Sequence, residues 1–302
     1  MSTPTPQMAL SPRAWAELML LSLIWGASFL TIRIALDEIG PLTAVAHRVG
    51  WAVLILWGYV ALRRLPVPRD PKIWIGFVGM GLLNNVIPFS LMAWGQLHIE
   101  TGLTSILNAS TAIFGVMAAA IFFADEKLTA RRAIGVTLGF FGVATAIGLS
   151  ALTDFDIRAL GQLAVLGGTV SYALAGVWAR KMLKGLAPQV AAAGMLTTSS
   201  LIMVPLAWIV EGPIRLDLNA QTWGAIAYYA VIATALAYLL FYRLLAMAGS
   251  GNTMLCTLLI APVAIILGAL ILDEALPIRA YFGFAMLAAG LLILNAGQKR
   301  PH

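Results

Sequence analysis

Ten apolar stretches of 17 to 25 residues, set apart by short segments that hold nearly all the charge, constrain this chain more than any other feature. A helix rising 1.5 Å per residue needs about 20 apolar residues to cross a hydrocarbon core of roughly 30 Å. The stretches cover 14–36, 41–62, 73–97, 101–124 and 133–149, then 159–179, 188–210, 222–245, 253–272 and 280–297. Composition agrees: 61% of the 302 residues are apolar and 11% charged, against roughly 45–50% and about 25% in a soluble domain. The mean hydropathy is +0.90, and a water-soluble fold has no interior large enough for this surplus. Ten-residue segments of alternating polarity, the mark of a membrane barrel, are missing. The expected fold is an all-α integral membrane protein with ten transmembrane helices and no room in its loops for a soluble domain.

The first stretch is too long for a signal-peptide core, lacks a strongly basic leader and precedes no A-x-A-like cleavage site, so it is expected to be retained. Lysine and arginine set the orientation. With the N-terminus in the cytoplasm, fourteen of the 19 basic residues fall on the cytoplasmic side, and Arg33, Arg48, Arg158, Arg215 and Arg279 on the other. Both termini are therefore expected in the cytoplasm. The net charge of +6 comes from clusters between apolar runs, which fits membrane orientation and sets nucleic acid aside. Cys256 is the only cysteine, so neither an intrachain disulfide nor a cysteine-based zinc cluster can form. His47, His98 and His302 have no metal-ligand spacing and no buried acid pair is visible, so neither an enzyme nor a cofactor is expected.

The chain repeats itself. Arg33 and Pro41 recur as Arg180 and Pro188 at an offset of 147; Asp125-Glu126 recurs as Asp273-Glu274, and Gly135 and Gly142 as Gly283 and Gly290, at 148. Each half, 1–150 and 151–302, holds five helices. An odd number makes the second half enter the membrane inverted, an arrangement recurrent in secondary transporters, with the binding site between the repeats. A duplicated but inert scaffold is the alternative from a different class.

Several segments resemble a known family: Leu23-Ile-Trp-Gly-Ala-Ser-Phe29 in the first helix, Ala46-His-Arg48 in the second, Asp125-Glu126-Lys127-Leu128-Thr129 and its echo Asp273-Glu274-Ala275-Leu276-Pro277. With the five-plus-five duplication they look like the drug/metabolite transporter superfamily, and within it the EamA-like family, over almost the whole chain. Within that family it resembles the amino-acid exporters, among them those of the YddG type. The resemblance implies a bacterial inner-membrane location, a cavity enclosed by the first four helices of each half, and peripheral fifth and tenth helices. It says little about cargo. One departure stands out: helix 4 reads Thr111-Ala-Ile-Phe114 where helix 9 has Ala261-Pro262, which puts symmetric hinging of the halves in doubt.

Among candidate substrate contacts Arg48 is the sharpest. Fourteen uncharged residues, about 21 Å of helix, separate it from Arg63, and Pro41 is the natural helix start, so Arg48 lies two turns inside the membrane. It could hold a substrate carboxylate, snorkel outward, or pair with Asp37 or Glu38. His47 projects about 100° away and reads as structural. In helix 3, Asn84-Asn85 precedes Pro88, whose missing N–H frees the carbonyl of Asn84 and makes Asn84 a candidate for an ammonium or hydroxyl group. Asn108 sits within a span, where its match to a glycosylation sequon has no meaning, and is a second amide candidate. Trp15, Trp74, Trp208 and Trp223 lie near span ends as interfacial anchors. Trp25, Tyr172, Trp178 and Tyr238 lie deeper and would either wall a pocket or fill the core. Ser28 shares the face of Trp25.

None of the thirteen acidic residues falls near the centre of a span. Proton coupling is therefore not expected to run through an intramembrane carboxylate. The expected function is a facilitative secondary transporter that exports a small molecule, an amino acid of the neutral or aromatic kind, by alternating access through the lipid bilayer. Drugs, nucleosides or sugar derivatives are the alternative cargo; a dianionic sugar phosphate is disfavoured, since Arg48 is the only basic residue positioned to meet it.

Overall fold

Proline and short polar side chains set most helix starts in this chain. In the computed structural model, which describes residues 11–124, 129–148, 156–183, 185–253 and 255–295, every regular element is helical. The Asp125-Glu126-Lys127-Leu128 segment, Asp154 and the Lys299-Arg300 pair lie outside the described residues. Eight helices among them are long and apolar enough to cross a membrane: α1 (Pro12–Ala35), α2 (Pro41–Leu62), α3 (Pro71–Gly95), α4 (Thr101–Phe122), α5 (Ala130–Ile147), α6 (Ile157–Met182), α7 (Pro188–Glu211) and α8 (Ala220–Leu244). Two shorter apolar helices follow, α9 (Leu255–Ile271) and α10 (Ile278–Asn295).

Pro12, Pro41, Pro71 and Pro188 open α1, α2, α3 and α7 with a backbone angle already suited to a helix and no N–H to leave unpaired. Ser11, Asp70, Thr129, Asp156 and Asn219 cap their own helices through the side chain. Two helices borrow a cap from far along the chain. The Glu211 carboxylate accepts from the N–H groups of Leu42 (2.9 Å) and Thr43 (2.8 Å) at the start of α2. Glu274 accepts from Thr101 (2.8 Å) and Gly102 (3.2 Å) at the start of α4. A carboxylate there also opposes the positive end of the helix dipole.

The helices pack α2 on α7, α1 on α9, α3 on α6 and α4 on α6, with α8 against α1 and α2, and α7 also against α3. Helices α5 and α10 pack chiefly on each other. Their glycines permit this: a Cβ at Gly142 would stand 2.7 Å from the Gly283 carbonyl oxygen, and one at Gly283 2.5 Å from that of Gly142. Leu62, Ile121, Ile209 and Leu270 are among the large apolar side chains left facing outward. A belt of that kind is stable only in lipid, and the chain is a multi-pass membrane protein.

Three helices depart from regular α geometry, at sites that shape the interior. Residues Leu82–Val86 of α3 form a π-helical turn, as do Tyr228–Leu236 of α8. In α3 the cause is Pro88. The Ile87 N–H bonds back five residues to Leu82, so the next donor in that register would serve Leu83, and proline has none. The Ser171 hydroxyl on α6 fills the gap, donating to the Leu83 carbonyl at 2.7 Å. The orphan carbonyl is therefore that of Leu83 rather than the expected Asn84, because the π register moves it by one residue. The third departure is in α4, where Thr101–Asn108 and Thr111–Phe122 are separate helical segments joined at Ala109-Ser110. Helix α9 carries Pro262 and yet runs unbroken from Leu255 to Ile271, so the break lies in the half without the proline.

Candidate functional site

A cavity of about 340 Å³ lies at the centre of the bundle, within the range of small-molecule sites. Helices α1, α2, α3, α4, α6, α7, α8 and α9 all contribute to its wall; α5 and α10 supply none of the lining residues. Seven of the eight candidates read from the sequence line it together: Trp25, Ser28, Arg48, Asn84, Asn108, Tyr172 and Tyr238. The eighth, Trp178, does not. Its indole N–H donates to the Gly76 carbonyl at 2.9 Å and its ring lies on Gly79, so it clamps α6 to α3 within the core.

Arg48 sits seven residues into α2, roughly 10 Å along the helix from its start. Its Nε donates to Thr234 Oγ1 at 2.9 Å, and the guanidinium lies 3.9 Å from the ring centroid of Phe89. The alternative acid partners are engaged elsewhere: Asp37 accepts from Arg33 at 2.6 Å, and Glu38 accepts from the backbone N–H of Asn219. Among the described residues no carboxylate pairs with Arg48, and its two terminal nitrogens have no hydrogen-bond partner. Arg48 is half-buried, so its charge is only partly withdrawn from water. A charge-assisted hydrogen bond of about 1.5–3 kcal/mol and a cation–π contact of about 0.5–2 kcal/mol offset the desolvation that remains. The arginine is thus tolerated but left with two donors facing the cavity, the arrangement that favours an incoming anion.

A polar network stands beside it. Asn84 donates to the Tyr238 hydroxyl at 3.3 Å, Tyr238 donates to Asn85 Oδ1 at 3.2 Å, and Asn85 donates to Ser199 at 2.9 Å, joining α3, α8 and α7. Trp25 donates to the Ala233 carbonyl (3.0 Å), a group inside the π turn of α8, while Ser28 donates to the carbonyl of Trp25 at 2.7 Å. His47 lies off the cavity, accepting from Trp51 and edge-on to Trp223, as a structural histidine would. The buried carboxylate among the described residues is Glu17, which pairs with Arg243 (2.8 Å) and Arg13 (3.3 Å) near the start of α1, away from the cavity.

Several lining residues were not singled out in the sequence. Met195 lies 147 residues after Arg48, the offset of the repeat itself, so repeat arithmetic alone marks it. Thr111 follows Asn108 by three positions and shares its face. Gln96 closes α3 in what reads as the end of a span, and only the fold brings it to the cavity, with Nε2 donating to the Phe29 carbonyl at 3.0 Å. Thr234 carries no signal in the sequence as the support of Arg48.

Lipid-facing helices around a largely apolar chamber with one uncompensated charge define a membrane protein built to hold a small solute. Residues 14–148 and 159–296 each match the EamA-like transporter family, and the chain belongs to that family of the drug/metabolite transporter superfamily. It is similar to a probable amino-acid metabolite efflux pump of Escherichia coli, 24% identical over 91% of this chain and 92% of that protein. A probable terminal-alkyne amino-acid exporter of Streptantibioticus cattleyicolor is 27% identical over 95% of each chain. The uncharacterized transporter YvbV of Bacillus subtilis is 25% identical over 92% of this chain and 90% of its own length. A solved crystal structure shares the fold with a TM-score of 0.67 and 15% identity, over 94% of this chain and 98% of its own. The chain is thus a transporter of a small molecule, working in a lipid bilayer.

Proposed function

We propose that this chain is a facilitative secondary transporter that exports neutral or aromatic amino acids, or close derivatives, across the bacterial inner membrane by alternating access. The observation that carries the reading is Arg48: a guanidinium with no acid partner among the described residues, lining a cavity walled by Trp25, Tyr172, Tyr238 and Phe89. A carboxylate supplies the missing charge and the aromatic wall suits an apolar side chain. The amino-acid exporters among the relatives support the same class of cargo.

The alternating-access part rests on a ten-span, inverted-repeat reading, with 1–150 and 151–302 as its halves and both termini in the cytoplasm. Support comes from the largest helix contacts, which are kept when the halves are exchanged: α1–α9 becomes α6–α4, α3–α6 becomes α8–α1, α2–α8 becomes α7–α3, and α2–α7, α4–α9 and α5–α10 map onto themselves, while the α4–α5 contact has no comparable equivalent between α9 and α10. The π turns of α3 and α8 begin 146 residues apart, near the repeat offset, and the family matches the chain twice. Two equivalent halves can exchange conformations around a fixed site. The absence of a carboxylate from the described cavity wall favours transport down a gradient over proton relay.

The test is uptake of a radiolabelled amino-acid panel by the purified protein in liposomes, with and without a pH gradient. Saturable uptake of neutral or aromatic amino acids that needs no gradient is expected. A folded protein that admits none of them would move the cargo to drugs, nucleosides or sugars. Uptake that requires acidification would remove the facilitative mechanism.

A further inference from the structure

Beside the break in α4, buried oxygen atoms on residues that line the cavity have no hydrogen-bond partner. Around Ala109-Ser110 the backbone ladder tightens: Ser110 donates to Leu107, Ala112 to Ala109 and Ile113 to Ser110, each three residues back. Ala112 is the residue that a regular helix would direct to Asn108. Among the described residues the Asn108 carbonyl therefore has no backbone donor, and the Asn108 side-chain amide has no hydrogen bond. This carbonyl ends the segment Thr101–Asn108, so it carries the negative end of that segment's dipole. Thr111 Oγ1, across the break, is buried and unpartnered, and so is Gln96 Oε1, on a side chain only 1% exposed. Asn108, Thr111 and Gln96 all line the cavity that Arg48 lines.

We infer that this break is a subsite for a small monovalent cation, built from neutral oxygens, and that the ammonium group of the transported amino acid fills it while Arg48 takes the carboxylate. The comparison with α3 decides the location. There the carbonyl freed by Pro88 already accepts from Ser171, which leaves the opened turn of α3 with the Asn84 side-chain oxygen as its acceptor, whereas the break in α4 brings a carbonyl together with unpartnered side-chain oxygens. An unwound carbonyl at the C-terminal end of a half-helix is a favourable cation ligand inside a membrane protein, and an ammonium can donate to up to three acceptors at once. The corresponding helix of the second half, α9, is continuous, so the subsite belongs to one half and gives the substrate a fixed orientation between α2 and α4.

The inference rests on the proposed amino-acid reading and is tested so that the two can fail separately. The purified chain in lipid nanodiscs is equilibrated with tritiated phenylalanine and competed with unlabelled phenylalanine, 3-phenylpropionate, which lacks the amine, and N-acetylphenylalanine, which retains the carboxylate but no ammonium. Each titration is repeated with sodium replaced by choline. Expected is a loss of about tenfold or more in affinity for both analogues, with no effect of sodium. In Gln96→Leu and, as a second variant, Thr111→Val, that preference shrinks because phenylalanine binds less tightly while 3-phenylpropionate binds as before. Equal affinity for phenylalanine and 3-phenylpropionate overturns the subsite and leaves the carboxylate reading standing. Binding that follows sodium and ignores the amine assigns the oxygens to an alkali ion and overturns the ammonium assignment. If phenylalanine and the other amino acids do not bind to folded protein, the amino-acid reading falls and the subsite with it.

Discussion

Adding one methyl group between α5 and α10 tests whether that pair is a scaffold or part of the transport path. In Gly142→Ala the new Cβ would lie 2.6 Å from the Leu287 nitrogen and 2.7 Å from the Gly283 carbonyl oxygen, where ordinary contact begins at 3.4 Å. The two backbones must therefore retreat by roughly 0.7 Å along a seam that holds glycine or alanine on both sides. Overpacking of this kind costs about 1–3 kcal/mol. Replacing a helical glycine by alanine returns about 1 kcal/mol through backbone entropy, so the net loss is up to about 2 kcal/mol. Gly58 in α2 has nothing within 4 Å of its Cβ position, so Gly58→Ala keeps the entropic gain without the clash. Cys256 is buried, so a thiol-reactive dye reports thermal unfolding in detergent. The expected order of melting midpoints is Gly58→Ala at or above wild type and Gly142→Ala below both. Transport per folded Gly142→Ala molecule is expected to be unchanged at permissive temperature, since α5 and α10 do not line the cavity. A Gly142→Ala protein as stable as Gly58→Ala would refute the packing argument, and a stable one that no longer transports would refute the scaffold role.

Other outcomes follow from the same contacts. Arg48→Met removes the cavity charge together with its desolvation cost, so transport is expected to be lost while the dye-reported midpoint changes by no more than about 1 kcal/mol equivalent; a large destabilisation would mark Arg48 as structural. Ser171→Ala leaves the Leu83 carbonyl without its donor and is expected to lower stability by about 1–3 kcal/mol, read by the same melt, whereas an unchanged midpoint would mean that the π turn needs no outside partner. Trp178→Phe loses one hydrogen bond to Gly76, about 1 kcal/mol of stability, and is expected to keep wild-type substrate affinity; reduced affinity would bring Trp178 into the site. In the α7–α8 loop the Arg215 guanidinium holds the Asp217 carboxyl below its ordinary range. A lowered folded-state value means that the pairing operates above the unfolded pKa and fades only as pH falls through the lower one. Asp217→Asn should then leave the pH dependence of stability unaltered between about pH 8 and pH 5, which melts across that range would check.

The helices were legible because the bilayer imposes a length rule on apolar runs, and the boundaries read from the gaps between charges lie within three residues of the helices observed, except at the end of the eighth stretch, where helical structure continues past the expected residue 245 to Thr253. Arg48, Asn84 and Asn108 were legible because a polar side chain within a span needs a reason. What the sequence concealed is where helices depart from ideal geometry. Pro88 marks the π turn of α3, but nothing as plain marks that of α8, which includes Thr234 donating back five residues to the Tyr229 carbonyl. The break in α4 contains neither proline nor glycine and is accompanied by Ser110 donating to the Leu107 carbonyl and approaching Thr169 on α6, a contact that exists only in the fold. Trp178 and Tyr172 could not be told apart by depth: they lie six residues apart on α6, and the neighbouring helix decides which ring meets the cavity.

Solute counterflow tests the central claim most directly. Liposomes containing the purified protein are loaded with unlabelled phenylalanine and diluted into a trace of labelled phenylalanine, with no ion gradient across the membrane. A carrier that alternates around the Arg48 cavity predicts a transient accumulation of label above its equilibrium level, absent from liposomes carrying folded Arg48→Met. Wild-type protein that shows no such accumulation, or an Arg48→Met protein that matches it, would contradict the account.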